Sequence, residues 1–443
     1  MPPALRRSMT LVHATSMIIG IIVGASIFIQ PSEITRLVPS TLGLMLVWLA
    51  AGALTLCGAL VCAELSAVFP DTGGVYVFLK KIFSPALGFL WGWGMFWSVH
   101  SGIIAAIAVI LARYVAYFTP LGENAVRAVA VVAILGLSFL NYMGVKQGSL
   151  VQVILTAAKL VAVGAMILLI FIAGGAAHRA LPPSPAPSPI PISAYGLAIA
   201  AGLFAFGGWH MVTYSAGETH DPKRNIPRAL LIGVLAVTGI YMLLNAAYIY
   251  VLPLSQVATS TRIAADATER VLGTRAGGAI ALLVICSALG ALNGIILAGP
   301  RVYYAMAQDG LAFHWLASVD TKRQTPHLAI AAQGIWSCVL VVTNSYRELF
   351  SRVVYTEWLF FSLLAAGLFV LRQRGGYQPR FLARGYAVVA VLFILASLGI
   401  VLNQVRANPR GSALGLGLIL LGLPVYFVWS HQPSRKAAAD AHH

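Results

Sequence analysis

Two glycine-interrupted stretches hold the residues of this chain best placed to do chemistry. The first is Ile18-Ile19-Gly20-Ile21-Ile22-Val23-Gly24-Ala25-Ser26-Ile27-Phe28, and the second runs from Gly202-Leu203-Phe204-Ala205-Phe206 through Gly207-Gly208 to Trp209-His210. Glycine weakens a helix, and an unpaired backbone group in hydrocarbon costs several kcal/mol, so such stretches need a protein neighbour or a polar cavity beside them. One reading is a small-residue packing face. The other is a pair of helix breaks: half-helix N-termini offer N-H groups to a carboxylate, and exposed carbonyls suit an ammonium. A zwitterionic α-amino acid carries both groups on one carbon.

Ionisable and polar residues inside apolar runs form the second set. Lys159, among Ala157, Ala158, Leu160 and Val161, lies too deep for easy snorkelling to an interface and reads as a transport or coupling residue. Glu357, just before Trp358, reads either as a vestibule carboxylate able to favour a cation or carry a proton, or as a solvated acid near a helix start. Glu64 and Glu218 adjoin Arg-rich connections, so ion pairs of an inner gate or purely structural pairs both fit. Asn293 either hydrogen-bonds near the site or glues helices together. His100 and His210 stand alone in sequence, with no partner at metal-ligand spacing, so no metal or other cofactor is expected.

The elements that must position these residues are membrane spans. Of 443 residues, 59% are hydrophobic and 9% charged, which makes the chain an all-α integral membrane protein in contact with a lipid bilayer. Its net charge of +16 is scattered over short connections rather than clustered, which argues against nucleic acid as a partner. Apolar runs predict twelve transmembrane helices, and the Lys/Arg bias places both termini in the cytoplasm. A proline-rich segment, Pro182 to Pro191, cannot form helix and separates spans five and six. The expected organisation is a cytoplasmic N-terminus (1–10), a first five-helix set (11–173), an extracellular linker (174–192), a second five-helix set (193–371), two peripheral helices (384–430) and a cytoplasmic tail (431–443). Glycine breaks in the first span of each set are the pattern of an inverted-repeat transporter.

The chain resembles the amino acid-polyamine-organocation superfamily, closest to the L-type amino acid transporter branch. The resemblance rests on Gly24-Ala25-Ser26-Ile27-Phe28; on Ala63-Glu64-Leu65 with Pro70, Gly73-Gly74 and Tyr76; on Phe204-Ala205-Phe206-Gly207-Gly208-Trp209 with Glu218, Pro222, Arg224, Asn225 and Pro227; and on Asn293-Gly294 with Arg301. It implies a LeuT-like 5+5 inverted repeat with discontinuous helices 1 and 6, working by alternating access at the cell membrane. Carried over by motif, the substrate carboxylate meets amides near Gly24, Ala25 and Ser26, and the amino group meets carbonyls of Ile22, Phe204, Ala205 and Gly207. Phe204 becomes an aromatic gate. Lys159 takes the position of a coupling sodium ion, so transport is expected to be sodium-independent. The chain departs from the family pattern in two places: its serine is displaced by one residue, and His210 stands where the branch commonly has asparagine.

The expected function is therefore exchange or facilitated movement of small or medium neutral L-amino acids, with a proton-coupled or cationic amino acid/polyamine permease as the alternative, and a receptor or channel on the same fold more remote. Trp358 and Phe204 would bound the side-chain space. No H-E-x-x-H, nucleophile elbow or P-loop occurs, so neither an enzyme nor an ATP-driven pump is indicated. Cys57, Cys62, Cys286 and Cys338 all lie in apolar runs. The resemblance to the L-type branch implies pairing with a heavy subunit through a cysteine between spans three and four, and since the connection from Thr119 to Val126 has none, no disulfide-linked heavy subunit is expected.

Overall fold

The computed structural model describes residues 9–143, 148–181, 189–319, 325–374, 377, 379–383 and 385–430. Most of the expected N-terminal and C-terminal segments, and residues 182–188 of the proline-rich linker, lie outside the described residues. All regular elements described are helical, apart from one isolated parallel bridge between Met9 and Thr219.

The first half comprises α1 (Leu11–Ile22), α2 (Gln30–Leu37), α3 (Thr41–Val68), α4 (Val75–Ile82), α5 (Pro85–Gly94), α6 (His100–Val115), α7 (Glu123–Met143) and α8 (Gly148–Ala173), followed by the short α9 (Gly175–Arg179). The second half comprises α10 (Ile192–Ala205), a 3₁₀ segment Trp209–Glu218, α11 (Pro222–Val251), α12 (Leu254–Thr259), α13 (Ile263–Leu272), α14 (Thr274–Ala298), α15 (Pro300–Gln308), α16 (His327–Thr343) and α17 (Tyr346–Arg372). Three helices close the chain: α18 (Tyr386–Ala407), α19 (Pro409–Leu420) and α20 (Gly422–Ser430). Local sequence sets many of the starts. Ser40 and Ser84 accept from Gly43 N and Leu87 N, and Ser345 with Glu348 forms a capping box at the head of α17.

Eleven helical segments among the described residues are long and apolar enough to cross a bilayer, so this is a multi-pass membrane protein. The twelfth expected span, α16, has 17 residues, about 26 Å of helix, a little less than a hydrocarbon core of about 30 Å. Val132, Phe139, Val161, Ile172 and Leu414 are exposed on the periphery, as a lipid-facing surface requires. By contrast α6 is buried along almost its whole length, at the centre of the bundle.

The most extensive packings set α3 along α11, α17 along α18, α6 along α14, α7 along α16, α1 along α11 and α13 along α14, and α1 also meets the 3₁₀ segment 209–218. At one end of the bundle the chain preceding α1 is tied down. Met9 N donates to Glu218 O at 2.9 Å, and His220 N donates to Met9 O at 2.8 Å.

Candidate functional site

The backbone is interrupted at both glycine stretches, and the two interruptions touch. Val23 ends α1 in an inverse γ-turn (φ −73°, ψ 62°) with Gly24 N donating to Ile22 O at 2.6 Å. The amides of Ala25, Ser26 and Ile27 then have no acceptor among the described residues before the 3₁₀ turn Ser26–Phe28 closes. In the second stretch α10 ends at Ala205, Gly207 N turns back to Phe204 O at 3.0 Å, and Gly208 adopts φ +93°. The amides of Gly208, Trp209 and His210 are likewise free of acceptors among the described residues. A Cβ on Gly208 would lie 2.4 Å from Ile21 Cγ2, so glycine is demanded there both by conformation and by contact with the first break. A Cβ on Gly24 would meet Ala291 Cβ of α14 at 3.1 Å.

Carbonyls at these breaks are held by side chains from neighbouring helices. The Tyr241 hydroxyl of α11 lies 2.7 Å from Ile22 O and 2.9 Å from Ala205 O, which joins both breaks through one phenol. Lys159 on α8 is buried and donates from Nζ to Gly20 O at 3.1 Å. Its side chain runs into α1 rather than snorkelling to an interface. Ser26 is buried and its hydroxyl makes no hydrogen bond among the described residues. Phe204 packs edge-on against Tyr346 with centroids 6.4 Å apart. Asn293 accepts from Asn141 Nδ2 of α7 at 2.6 Å, a link between helices. Trp358 packs on Phe361 and on Phe393 of α18, within an aromatic layer.

Two readings of the sequence need correction. Glu357 is not a helix-start acid: α17 begins at Tyr346, so Glu357 sits about 16 Å further along and is 3% exposed. The acid that caps this helix is Glu348. Nor is His210 isolated. Its Nε2 lies 2.9 Å from the Tyr214 hydroxyl and 3.8 Å from Glu357 Oε1, while the His100 ring packs on Tyr214 from α6. Sequence spacing misses this cluster because its members come from separate helices. Among the described residues no group of three His, Cys, Asp or Glu side chains is placed to hold a metal ion.

At the Met9 end of the bundle, two carboxylates make bidentate arginine pairs. Glu64 takes Arg372 Nε and Nη2 at 2.8 and 2.7 Å, the Tyr377 hydroxyl at 2.8 Å and the Ala383 amide at 2.7 Å. Glu218 takes Arg301 Nε and Nη2 at 2.9 and 3.2 Å. Fork-to-carboxylate geometry of this kind is both strong and directional. Tyr241 and Tyr377 were not legible as partners, since tyrosines in apolar runs give no sign of which carbonyl or carboxylate they meet.

Comparison with known proteins matches residues 9–428 to the amino acid permease family. The chain is 30% identical over 444 residues to the large neutral amino acids transporter small subunit 2 of Homo sapiens, covering 97% of this chain and 82% of the relative. It is 30% identical to the Homo sapiens b(0,+)-type amino acid transporter 1 over 97% of this chain and 89% of the relative. It is 28% identical to the serine/threonine exchanger SteT of Bacillus subtilis (strain 168), over 96% and 97%. These relatives are transporters rather than enzymes. With its apolar helices and a match along nearly its whole length, the chain belongs to the amino acid permease family, and its function is amino acid transport.

Proposed function

We propose that the chain is a sodium-independent exchanger or facilitator of small to medium neutral L-amino acids, working by alternating access on a 5+5 inverted repeat. The observation that carries the reading is the meeting of the two breaks: free amides at Ala25 to Ile27 and at Gly208 to His210 lie beside carbonyls gathered by Tyr241. The amides suit a carboxylate and the carbonyls an ammonium. In this reading Gly24, Ala25 and Ser26 hold the carboxylate, and Ile22, Phe204, Ala205 and Gly207 hold the amino group. Phe204 against Tyr346 closes the outer side, with Asn293 and Trp358 bounding the space beyond.

The repeat is supported by the pairing of helices. Counting spans, α3 with α11 is the second with the seventh, α6 with α14 the third with the eighth, and α7 with α16 the fourth with the ninth. Equivalent elements packing on each other is what a two-fold relation between halves produces. The halves are 11–173 and 193–371, joined by 174–192, with 384–430 peripheral and both termini in the cytoplasm of a cell membrane. Glu64 with Arg372 and Glu218 with Arg301 then form the cytoplasmic gate.

Lys159 supports independence from sodium, since its ammonium already occupies the Gly20 carbonyl of α1 and would repel a second cation. No disulfide-linked heavy subunit is included in the proposal, because the connection from Thr119 to Val126 carries no cysteine. The test is counterflow in proteoliposomes without sodium, screened over the twenty amino acids. Uptake of labelled substrate accelerated by unlabelled internal neutral amino acid supports the reading; dependence on a sodium gradient, or binding without counterflow, overturns it.

A further inference from the structure

Behind the second break lies a buried polar cluster that holding a zwitterion at the two breaks does not require. It comprises His210 and Tyr214 on the segment 209–218, His100 on α6, Tyr303 on α15 and Glu357 on α17, none more than 3% exposed. His100 Nδ1 and the Tyr303 hydroxyl are 3.2 Å apart, and His210 Nε2 and the Tyr214 hydroxyl 2.9 Å. Glu357 Oε1, His210 Nδ1 and His100 Nε2 are buried without a hydrogen-bond partner. Glu357 makes no hydrogen bond among the described residues, and His210 Nε2 lies 3.8 Å from its Oε1.

Among the described residues no lysine or arginine lies within ion-pair distance of Glu357, whose one such contact is His210. On the helices packed around it, Lys80 pairs with Asp309, Lys81 with Asp71, Arg372 with Glu64 and Arg347 with Glu33. Arg113 of α6 lies over the Tyr346 ring, and Arg410 of α19 lines a separate pocket with Glu33 and Glu348. From α3 comes the thiol of Cys62, from α11 the hydroxyl of Tyr241, committed to Ile22 and Ala205, and from α1 the His13 ring, bonded to Thr10. An unpaired carboxylate enclosed this way is far costlier than a protonated one. In this enclosed arrangement the pair favours holding one proton, with its home on Glu357 as a neutral pair or on His210 as an ion pair.

The two homes ride on different elements. His210 is two residues past Gly208, on the segment that begins after the break, whereas Glu357 belongs to the continuous helix α17. At 3.8 Å they sit just outside hydrogen-bond range, so a small movement of the segment either joins them or strands the carboxylate. Affinity for the proton then depends on conformation, and by linkage the proton biases conformation.

We propose that His210 and Glu357 form a one-proton site that is loaded from water and emptied to water during the transport cycle, so that amino acid movement is accompanied by movement of H⁺. This rests on the transport reading above. Loading converts the carboxylate to a carboxyl with a proton taken from water; emptying returns that proton to water, and no other bond changes.

The test uses the full-length protein in proteoliposomes with a pH-sensitive dye trapped in the lumen. Addition of a transported neutral amino acid is expected to change lumenal pH, and wild-type flux to vary by about tenfold between about pH 5 and about pH 8. Glu357→Gln is expected to abolish the lumenal pH change and flatten the profile, and His210→Asn to displace the profile. Counterflow in the wild type with no lumenal pH change, and one profile shared by all three proteins, overturns the proton site and leaves the transport reading standing. So does a Glu357→Gln protein that keeps the wild-type profile and loses only cationic substrates, which makes the carboxylate a substrate-reading group. If no amino acid shows counterflow, the transport reading falls. The infrared difference between wild type and Glu357→Gln then decides the proton site: a protonated-carboxyl band lost with the glutamate supports it, and no such band overturns it.

Discussion

The hydroxyl of Tyr241 reaches the Ile22 carbonyl across 219 positions of sequence and meets it at 2.7 Å. The same oxygen stands 2.9 Å from Ala205 O, so two carbonyls at two chain breaks share one phenolic proton. Tyr241→Phe keeps the ring, which packs on Trp48 and Phe206, and removes only that proton. It is expected to cost about 1 to 2 kcal/mol of stability and to raise KM by about tenfold. Thermal unfolding in detergent and counterflow at varied substrate concentration check the two effects separately.

Gly24→Leu is expected to abolish transport while the protein still inserts and migrates as a monodisperse species. The added side chain starts 3.1 Å from Ala291 Cβ and 3.3 Å from Ile21 O, so it crowds the break against α14. Size-exclusion chromatography and labelled-substrate binding decide it, and normal affinity in the variant would remove Gly24 from the site.

Lys159→Ala removes the ammonium from Gly20 O and leaves a break with one carbonyl fewer engaged. Turnover is expected to fall by at least about tenfold, with a smaller change in thermal stability. Stopped counterflow with unchanged substrate binding is the signature of a conformational role, and unchanged turnover would assign the lysine to packing alone.

Arg372→Ala leaves Glu64, which is fully buried, with the Tyr377 and Ala383 donors but no counter-charge. Breaking such a pair costs about 3 to 5 kcal/mol in the state that makes it. The population is therefore expected to move toward the state open on that side. The double variant Glu64→Gln with Arg372→Gln should recover part of the balance. Accessibility of single cysteines placed along α4 to a membrane-impermeant thiol reagent on either face reads the shift.

The irregular backbone of the candidate site was legible in the chain because the hydrocarbon interior makes such backbone so costly. Gly24 and Gly207-Gly208 announced their breaks by residue type alone, and Lys159 announced itself by depth. What periodicity and spacing leave out is which helix faces which. Hence the Asn141 to Asn293 link, the Tyr241 bridge and the approach of His210 to Glu357 emerge only when distant segments are placed side by side. Glu357 was misplaced for a related reason: the polar opening of α17, Tyr346-Arg347-Glu348, resembles a loop until its capping box is seen to start the helix early.

The pairing of Met9 with the chain at Glu218 and His220 has a practical side. The residue just ahead of α1 is hydrogen-bonded to the chain that leaves the segment 209–218, so a reporter fused directly before it loads that junction. Fluorescent proteins, affinity handles and tethers for single-molecule work belong after Ser430, beyond α20, which packs on α5 and α19 and, through Trp429, on Phe313.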